Sequence, residues 1–243
     1  MVVGALTTLS HNCWTDATVR RTIAAMPVRR RVLLVDLSNN NPGPIDWRQV
    51  KGDGVFGVLL KVSEGRNFVD QTWPERSRGA RAAGLHVGGY HFARPGGDPL
   101  EQATIFVGHL GKVERRDLHP ALDLEVNDQK LHPAELFAWA RNFGSHVHAM
   151  TGSKVLWYTY PGFLAEQGWR HQLGTGAGLW IADYGPNDGR DHGVPDGATK
   201  PWRSFVAHQF TSVGRVAGVK GNVDLSHARS RRAMLARGLR GLV

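Results

Sequence analysis

The chain has 243 residues, and its 30 Lys and Arg residues exceed its 21 Asp and Glu residues, so the formal net charge is +9. A hydrophobic fraction of 41% and a charged fraction of 21% are ordinary for a globular protein and exclude wholesale disorder. No apolar run approaches the roughly 20 residues that a membrane-spanning helix needs. The single cysteine, Cys13, excludes an intrachain disulfide framework.

The excess positive charge lies at the two ends of the chain. Residues 1–31 carry a net charge of +4 and residues 228–243 one of +5, whereas the 20 basic and 20 acidic residues of 32–227 cancel. A nucleic-acid-binding protein usually spreads Lys and Arg over one face, with aromatic residues between them. The neutral central part lacks this pattern, so we expect no nucleic-acid partner.

Residues 1–26 show no regular hydrophobic periodicity. The apolar start of the chain has no basic residues before it, which is unlike a secretory signal peptide. We therefore expect an N-terminal extension without regular structure over residues 1–26, followed by a single domain over residues 27–243. No internal repeat or low-complexity linker indicates a second domain.

Eight short segments from residue 32 onward have the composition of β-strands. They are rich in Val, Leu, Ile or aromatic residues and are bounded by Gly, Pro or polar residues. The predicted strands are Val32–Leu37, Val55–Ser63, Leu85–Phe92, Ala121–Val126, Lys154–Tyr160, Gly178–Tyr184, Phe205–Thr211 and Gly221–Leu225.

Three amphipathic segments between these strands are predicted helices. They span Thr72–Ala83, Pro99–Leu110 and Pro133–Met150, and each begins near a proline or a polar capping residue. Later connections are shorter and rich in glycine. Eight strands with helices mainly in the first half predict an α/β fold, an irregular TIM-like (β/α) barrel with helices reduced in the second half.

Two carboxylates stand at alternate positions of the predicted strand Ala121–Val126. Alternate strand residues point to the same side, so Asp123 and Glu125 share the face opposite Leu122 and Leu124. Burial of two neighbouring carboxylates tends to raise the pKa of one of them. A protonated carboxyl group beside an ionised one is what cleavage of a glycosidic bond needs. A solvated acidic face or structural salt bridges are the alternative interpretation.

Two further acids support the catalytic interpretation. Asp36 ends an apolar run, and Asp224 ends the last predicted strand in the same way. The carboxyl ends of the strands of a parallel barrel meet at one mouth, and the first and last strands become neighbours when the barrel closes. We therefore expect Asp36 and Asp224 side by side, facing Asp123 and Glu125 across the mouth.

A series of short motifs runs through almost the whole of residues 32–227. In chain order they are Val35–Ser38, Ile45–Trp47, Lys61–Gly65, Ala83–Leu85, Gly88–Phe92, Leu122–Glu125, Leu156–Thr159, Leu179–Tyr184 and Val223–Asp224. No single motif is decisive, but the ordered set is specific. It resembles the Chalaropsis-type lysozymes (glycoside hydrolase family 25), many of which are bacteriophage endolysins.

The resemblance implies a modified (β/α) barrel that cleaves the β-1,4 bond between N-acetylmuramic acid and N-acetylglucosamine in peptidoglycan, with no metal or organic cofactor. Glu125 matches the family's general acid/base, which protonates the leaving oxygen and then activates water. Asp123 matches a second carboxylate, which acts either as a nucleophile or as the group that orients the N-acetyl group of the substrate. Asp36 and Asp224 match acids on the floor of the cleft.

Other residues of these motifs are candidates for substrate binding. Aromatic rings at strand ends can stack on the apolar faces of sugars, and ionised side chains rarely enter a core unpaired. For Phe92, a position in the core is the alternative. The candidate binding residues are Lys61, Glu64, Tyr90, Phe92, Tyr158, Trp180, Tyr184 and Gln209.

The arginine-rich end of the chain predicts a basic helix over residues 228–240. Two explanations stay open: the basic ends hold the protein on anionic wall polymers or membrane, or Met234, Leu235 and Leu239 close the barrel. We expect a monomer that acts on the glycan strands of the bacterial cell wall. Without a clear signal peptide, it would be made in the cytoplasm of a host and released as phage lysins are, or exported by another route.

A non-catalytic peptidoglycan-binding barrel is the alternative function. Such a module has no evident need for four acids at the mouth, so the sequence favours an enzyme. The sequence contains neither the His-Glu-x-x-His motif of zinc endopeptidases nor the Gly-x-Ser-x-Gly elbow of serine hydrolases.

Overall fold

The computed structural model describes residues 32–169 and 178–236. Its strands are β1 (Val32–Leu37), β2 (Gly57–Glu64), β3 (Phe68–Val69), β4 (His86–Phe92), β5 (Ala121–Asp123), β6 (Leu156–Thr159), β7 (Leu179–Ala182), β8 (Ala207–Gly214) and β9 (Val223–Ala228). Its helices are α1 (Trp47–Gly52), α2 (Trp73–Ala82), α3 (Pro99–Leu110), α4 (Pro133–Thr151), α5 (Pro161–Glu166) and α6 (Arg231–Met234).

Eight of these strands close into a barrel. Their order is β1-β2-β4-β5-β6-β7-β8-β9, with β9 beside β1, while β3 pairs with the end of β2. Neighbouring strands from β1 to β8 are parallel, whereas β9 is antiparallel to both β8 and β1. Within the described residues, no helix lies between β7 and β8. The prediction of an α/β barrel with helices reduced in its second half is confirmed.

The last strand differs from its prediction. It spans Val223–Ala228 instead of Gly221–Leu225, and Asp224 lies near its beginning. Because β9 is antiparallel, its beginning lies at the mouth where the parallel strands end. Asp36 pairs with Asp224 in the register of β1 and β9. The two acids are thus side by side as expected, although the assumption of a fully parallel barrel is wrong.

Local sequence signals explain where the long helices begin and end. The side chain of Asp98 accepts a hydrogen bond from the Leu100 amide at 2.8 Å, and Pro99 opens α3. Gly152, with a φ of 70°, ends α4 in the left-handed conformation. Both helices start at the predicted residue. The sequence did not predict α1, α5 and β3, which have six residues or fewer and are too short to show a period.

The barrel interior is apolar toward its base and polar at its mouth. On β1, buried Leu34 lies two residues before Asp36 and therefore on the same face of the strand. On β5, buried Ala121 stands in the same relation to Asp123. The inner apolar cluster is separate from the larger core between the barrel and its helices. This inner cluster keeps the ionisable side chains at one end of the barrel.

The described end of the chain closes the base of the barrel. Met234 is buried in the inner cluster and its carbonyl accepts a hydrogen bond from the His119 amide, while the Ala236 amide donates to the Asp117 carbonyl. The predicted helix over 228–240 contains one turn, α6. Leu239 and the predicted extension over residues 1–26 lie outside the described residues. Met234 therefore supports the explanation in which apolar residues close the barrel.

Gly89 on β4 allows α3 to lie close to the barrel wall. A Cβ atom there would stand 2.5 Å from Leu110 Cδ1 and 2.6 Å from Val62 Cγ2. We expect Gly89→Ala to lower the free energy of unfolding by about 1–3 kcal/mol, because it overpacks this contact. Urea denaturation measures the change.

Gly108→Ala is the matched control on the exposed side of α3, where nothing lies within 4 Å of the added Cβ atom. This substitution should raise the free energy of unfolding by about 0.5–1 kcal/mol, because alanine favours helix. Equal effects of the two substitutions would contradict the packing argument.

Candidate functional site

Four carboxyl groups meet at the mouth of the barrel. Asp36 lies near the end of β1 and Asp224 near the beginning of β9, and the two are direct partners in the register. Asp123 is the last residue of β5 and Glu125 follows two residues later. Asp36 and Asp123 each interact electrostatically with Glu125. The structure thus brings together the four acids that the sequence singled out.

Burial raises the pKa of all four carboxyl groups. Asp36 and Asp123 are 8% exposed. Their pKa values rise well above the ordinary range, first through loss of hydration and then through a neighbouring carboxylate, Asp224 for Asp36 and Glu125 for Asp123. Loss of hydration also raises the pKa of Glu125 and brings that of Asp224 to about 6. Like charges this close cannot all ionise together, so the mouth retains protons near neutral pH.

One oxygen of Asp123 has no hydrogen-bond partner among the described residues. This atom, Oδ1, is buried. An unpaired polar atom in a buried position costs about 1–3 kcal/mol, which is why such atoms are rare in folded proteins.

Gln209 on β8 holds three other residues of the mouth. Its Nε2 donates to both carboxyl oxygens of Asp36, at 3.0 and 3.1 Å. Its Oε1 accepts from the hydroxyl groups of Tyr158 at 2.8 Å and Tyr184 at 2.7 Å. Gln209 is 2% exposed, and both ends of its amide face these partners. The prediction of Gln209 as a substrate-binding residue did not include these contacts with the protein.

Tyr158 connects the amide of Gln209 with Glu125. Loss of hydration raises the pKa of Glu125, and a hydrogen bond with Tyr158 opposes this rise. A phenol has one proton to donate. When that proton points to Gln209, the phenol oxygen can still accept a hydrogen bond from protonated Glu125. The direction of the Tyr158 hydroxyl is therefore linked to the protonation of Glu125.

Two predicted sugar-binding aromatics lie inside the barrel wall. Trp180 is 2% exposed, its Nε1 donates to Ser226 Oγ at 2.9 Å, and its ring meets that of Tyr158 edge-on with centroids 4.5 Å apart. Tyr90 is half-buried, and its pKa is raised by loss of hydration and by the nearby charge of Asp36. Trp180 has no ring face open to a sugar, so stacking on it, as the sequence suggested, does not fit its position.

A β-bulge places Lys61 and Glu64 on the same face of β2. Residues three apart in a regular strand point to opposite sides, but the register shifts between Lys61 and Ser63. Lys61 forms an ion pair with one carboxyl oxygen of Glu64, and Arg94 donates to the other at 2.7 and 3.0 Å. Burial opposes the ionisation of Glu64, but the bonds from Lys61 and Arg94 outweigh it and lower its pKa.

Phe92 lies beside this ion pair. Lys61 Nζ stands 5.1 Å and the Arg94 guanidinium 4.9 Å from the centroid of its ring. Both distances are within the range of cation–π attraction. Phe92 is therefore half-buried between the barrel and two cations. This position is intermediate between the core position and the exposed sugar-binding position that the sequence left open.

The sequence did not predict two residues of the mouth, Ser38, which forms a hydrogen bond with Tyr90, and Arg94, which pairs with Glu64. Each stands two positions beyond a residue already singled out at the mouth. That position was the signal available, because functional groups of such barrels gather where the parallel strands end. Ser226, which accepts a hydrogen bond from Trp180, lies deeper in the barrel because β9 runs away from the mouth.

Within residues 32–169 and 178–236, no three or more His, Cys, Asp or Glu side chains are grouped so as to hold a metal ion. The helices of these ranges include none with the length and apolar character needed to cross a membrane.

Two neighbouring carboxyl groups at the mouth of a barrel are the groups with which most glycoside hydrolases act. The profile of glycosyl hydrolases family 25 matches residues 35–219. The chain belongs to this family, and the resemblance carried by the sequence motifs is confirmed.

Known lysozymes are similar to this chain. Lysozyme M1 of Streptomyces globisporus is 30% identical over 196 residues, which cover 75% of this chain and 63% of that protein. The autolytic lysozyme of Clostridium acetobutylicum is 30% identical over 186 residues, covering 75% and 52%. The solved structure of the bacterial lysozyme from Streptomyces coelicolor matches with a TM-score of 0.74 at 28% identity, covering 83% and 94%. The matched part of this chain spans less than two thirds of the first two relatives.

The carboxyl group of Asp224 should lower stability at neutral pH. Its pKa of about 6 in the fold exceeds the value of about 3.9 for an unfolded Asp. Its contribution to stability is therefore fully present below about pH 4 and is lost as the pH rises through about 6. We expect Asp224→Asn to raise the free energy of unfolding by about 1–2 kcal/mol at about pH 7.5 and to change it little at about pH 3.5.

Urea denaturation at the two pH values measures this difference. Asp196→Asn is the control, because Asp196 is an exposed carboxylate, and it should change stability little at either pH. A gain of the same size at both pH values for Asp224→Asn would show that its charge is not the cause.

Proposed function

We propose that this protein is an N-acetylmuramidase, a lysozyme that hydrolyses the β-1,4 bond between N-acetylmuramic acid and N-acetylglucosamine in peptidoglycan. The observation that carries the proposal is the buried, coupled pair of Asp123 and Glu125 at the mouth of a family 25 barrel. The lysozymes among its relatives support the substrate. Its partner is then the glycan strand, and it acts on the bacterial cell wall.

Glu125 is the proposed general acid/base. It is more exposed than Asp123, so a glycosidic oxygen can reach it. Its raised pKa keeps a proton available for the leaving oxygen. As a carboxylate it then removes a proton from the attacking water. The negative charge of Asp224 also favours this proton.

Asp123 is proposed to orient the N-acetyl group of the substrate. Its unpaired Oδ1 would accept the amide hydrogen of that group, which places the acetyl oxygen for attack on the anomeric carbon. A hydrogen bond to the ionised form favours ionisation. Substrate binding would therefore shift the proton shared by the pair toward Glu125. In the alternative role, as a nucleophile, Asp123 would form a covalent glycosyl-enzyme that mass spectrometry can detect.

Glu125→Gln tests the assignment of the acid/base. The amide cannot transfer a proton, so we expect the release of new muramic-acid reducing ends from purified peptidoglycan to fall about 10²–10⁴-fold. Mass spectrometry of the reduced, soluble fragments identifies those ends. Glu75→Gln, at an exposed position of α2, is the matched control and should keep the activity of the wild type.

The same assay separates the competing functions. A wild-type protein that releases no new reducing ends would refute the muramidase, and pelleting with the wall without fragments would identify a non-catalytic binding barrel instead. Full activity of Glu125→Gln would refute the role of Glu125 and leave the function standing.

Two substitutions should move the alkaline limb of the pH–activity profile in opposite directions. Asp224→Asn removes a negative charge that raises the pKa of Glu125, so the limb should move to lower pH. Tyr158→Phe removes a hydrogen bond that lowers this pKa, so the limb should move to higher pH. We expect shifts of about 0.5–1 pH unit in initial rates normalised to each variant's maximum. Shifts in the same direction would refute this electrostatic account.

We also propose a single catalytic domain over residues 27–243. Arg229, Arg231 and Arg232 are exposed beside the base of the barrel, at the end away from the acids. Contact between these arginines and anionic wall polymers remains a proposal, as does release of the protein in the manner of a phage lysin or by another route of export.

A further inference from the structure

A second cleft of about 580 Å³ lies beside the acid mouth. It is bounded by residues 64–68 at the end of β2 and residues 94–97 after β4. Gln102 of α3, with Asp128 and Gln129 after β5, completes its lining. We call this the side cleft. Apart from Glu64 and Arg94, its lining residues have no part in the roles proposed above.

A row of paired strand residues connects the side cleft with the acids. Phe68 pairs with Glu64, Glu64 with Phe92, and Phe92 with Asp123. Neighbouring strands lie about 4.8 Å apart, so the backbones at Glu64 and Asp123 are separated by roughly 10 Å. Lys61 and Glu64 both act electrostatically on Asp123. A ligand bound at the acids can therefore extend a substituent of a few residues into the side cleft.

The wall of the side cleft is charged, and its two arginines differ in how firmly they are held. Arg94 is fixed by Glu64 at 2.7 Å and by Asp128 at 2.8 Å. Arg66 meets Glu101 at 3.3 Å, and its side chain remains 53% exposed. Such an exposed ion pair contributes little stability. Arg66 can therefore leave Glu101 for another carboxylate at small cost.

We propose that the side cleft receives the peptide stem of peptidoglycan and that Arg66 binds one of its carboxylates. The inference rests on the proposed function, because that substrate brings the peptide. The sugar rings and their N-acetyl groups carry no charge, and the lactyl carboxyl group of muramic acid is joined to the peptide as an amide, so the carboxylates of the intact strand are those of the peptide. A guanidinium binds a carboxylate through two parallel hydrogen bonds.

The wall of the side cleft also offers partners for a peptide. Phe68 is 39% exposed, and Lys61 Nζ lies 5.2 Å from the centroid of its ring. The exposed amide side chain of Gln129 can pair with peptide groups, whereas that of Gln102 is buried and already bonds to His91 and to the Arg94 backbone.

The test compares two forms of one substrate. Purified peptidoglycan is used intact, or after an amidase has removed its stem peptides and the lactyl carboxylates that the amidase exposes have been converted to methylamides, and kcat/KM is measured on both. We expect Arg66→Ala to lower kcat/KM about five- to tenfold on the intact form and less than about twofold on the peptide-free form. Arg66→Lys should recover part of the loss, because it keeps the charge without the paired hydrogen bonds.

Lys112→Ala is the matched control, since it removes one exposed positive charge just beyond the far end of α3. It should leave both rates unchanged. Equal losses on both substrates for Arg66→Ala would make the side cleft a sugar subsite and overturn the proposal. Unchanged rates on both substrates would overturn it as well.

A binding measurement separates this proposal from the muramidase itself. Isotope-labelled Glu125→Gln protein is titrated with the free stem peptide, and amide chemical shifts are followed. Shifts at Arg66 and Gly97 that Arg66→Ala abolishes would support the cleft even if the wild type cleaved no glycan. Absence of these shifts would overturn the inference even in an active enzyme.

Discussion

The burial of four carboxyl groups at one end of a barrel is the constraint on which the rest of the structure depends. Removing each group from water is costly, and their mutual repulsion adds to that cost. The fold offsets part of it by giving Asp36 a hydrogen-bond donor in Gln209 and Glu125 a hydrogen bond with Tyr158. The remainder appears as raised pKa values, which keep protons on the acids. Proton availability and local instability thus have the same physical origin.

The architecture followed from the sequence because each strand has a distinct composition. Strand direction did not, since the alternation of Val223, Asp224 and Leu225 is the same whether the strand is read as parallel or antiparallel. The short helices α1 and α5 and the short strand β3 were not predicted, for a related reason. A helix such as α5, with six residues, is set by its contacts with the rest of the fold and shows too little periodicity to be read from the chain.

The candidate site also has features that the sequence predicted and features that it did not. Alternation in β5 was enough to place Asp123 and Glu125 on one face, and the ordered motifs identified the family. Depth along the barrel axis is not encoded in alternation, so Trp180 was taken for a sugar platform although it fills the interior. The hydrogen bonds of Gln209 could not be predicted because its partners come from strands far away in the chain. The alternation of residues predicts the face of a strand on which a side chain lies. Its exposure and its hydrogen-bond partners depend on the assembled barrel.

The bulge in β2 also has a consequence for how this region can change in evolution. Because the register shift lies between Lys61 and Ser63, losing one residue there would restore regular alternation and turn Glu64 toward the helices. The ion pairs of Glu64 with Lys61 and Arg94 would then be lost together. The length of this segment is thus constrained more strictly than its residue types. Substitutions should be tolerated there more readily than insertions or deletions.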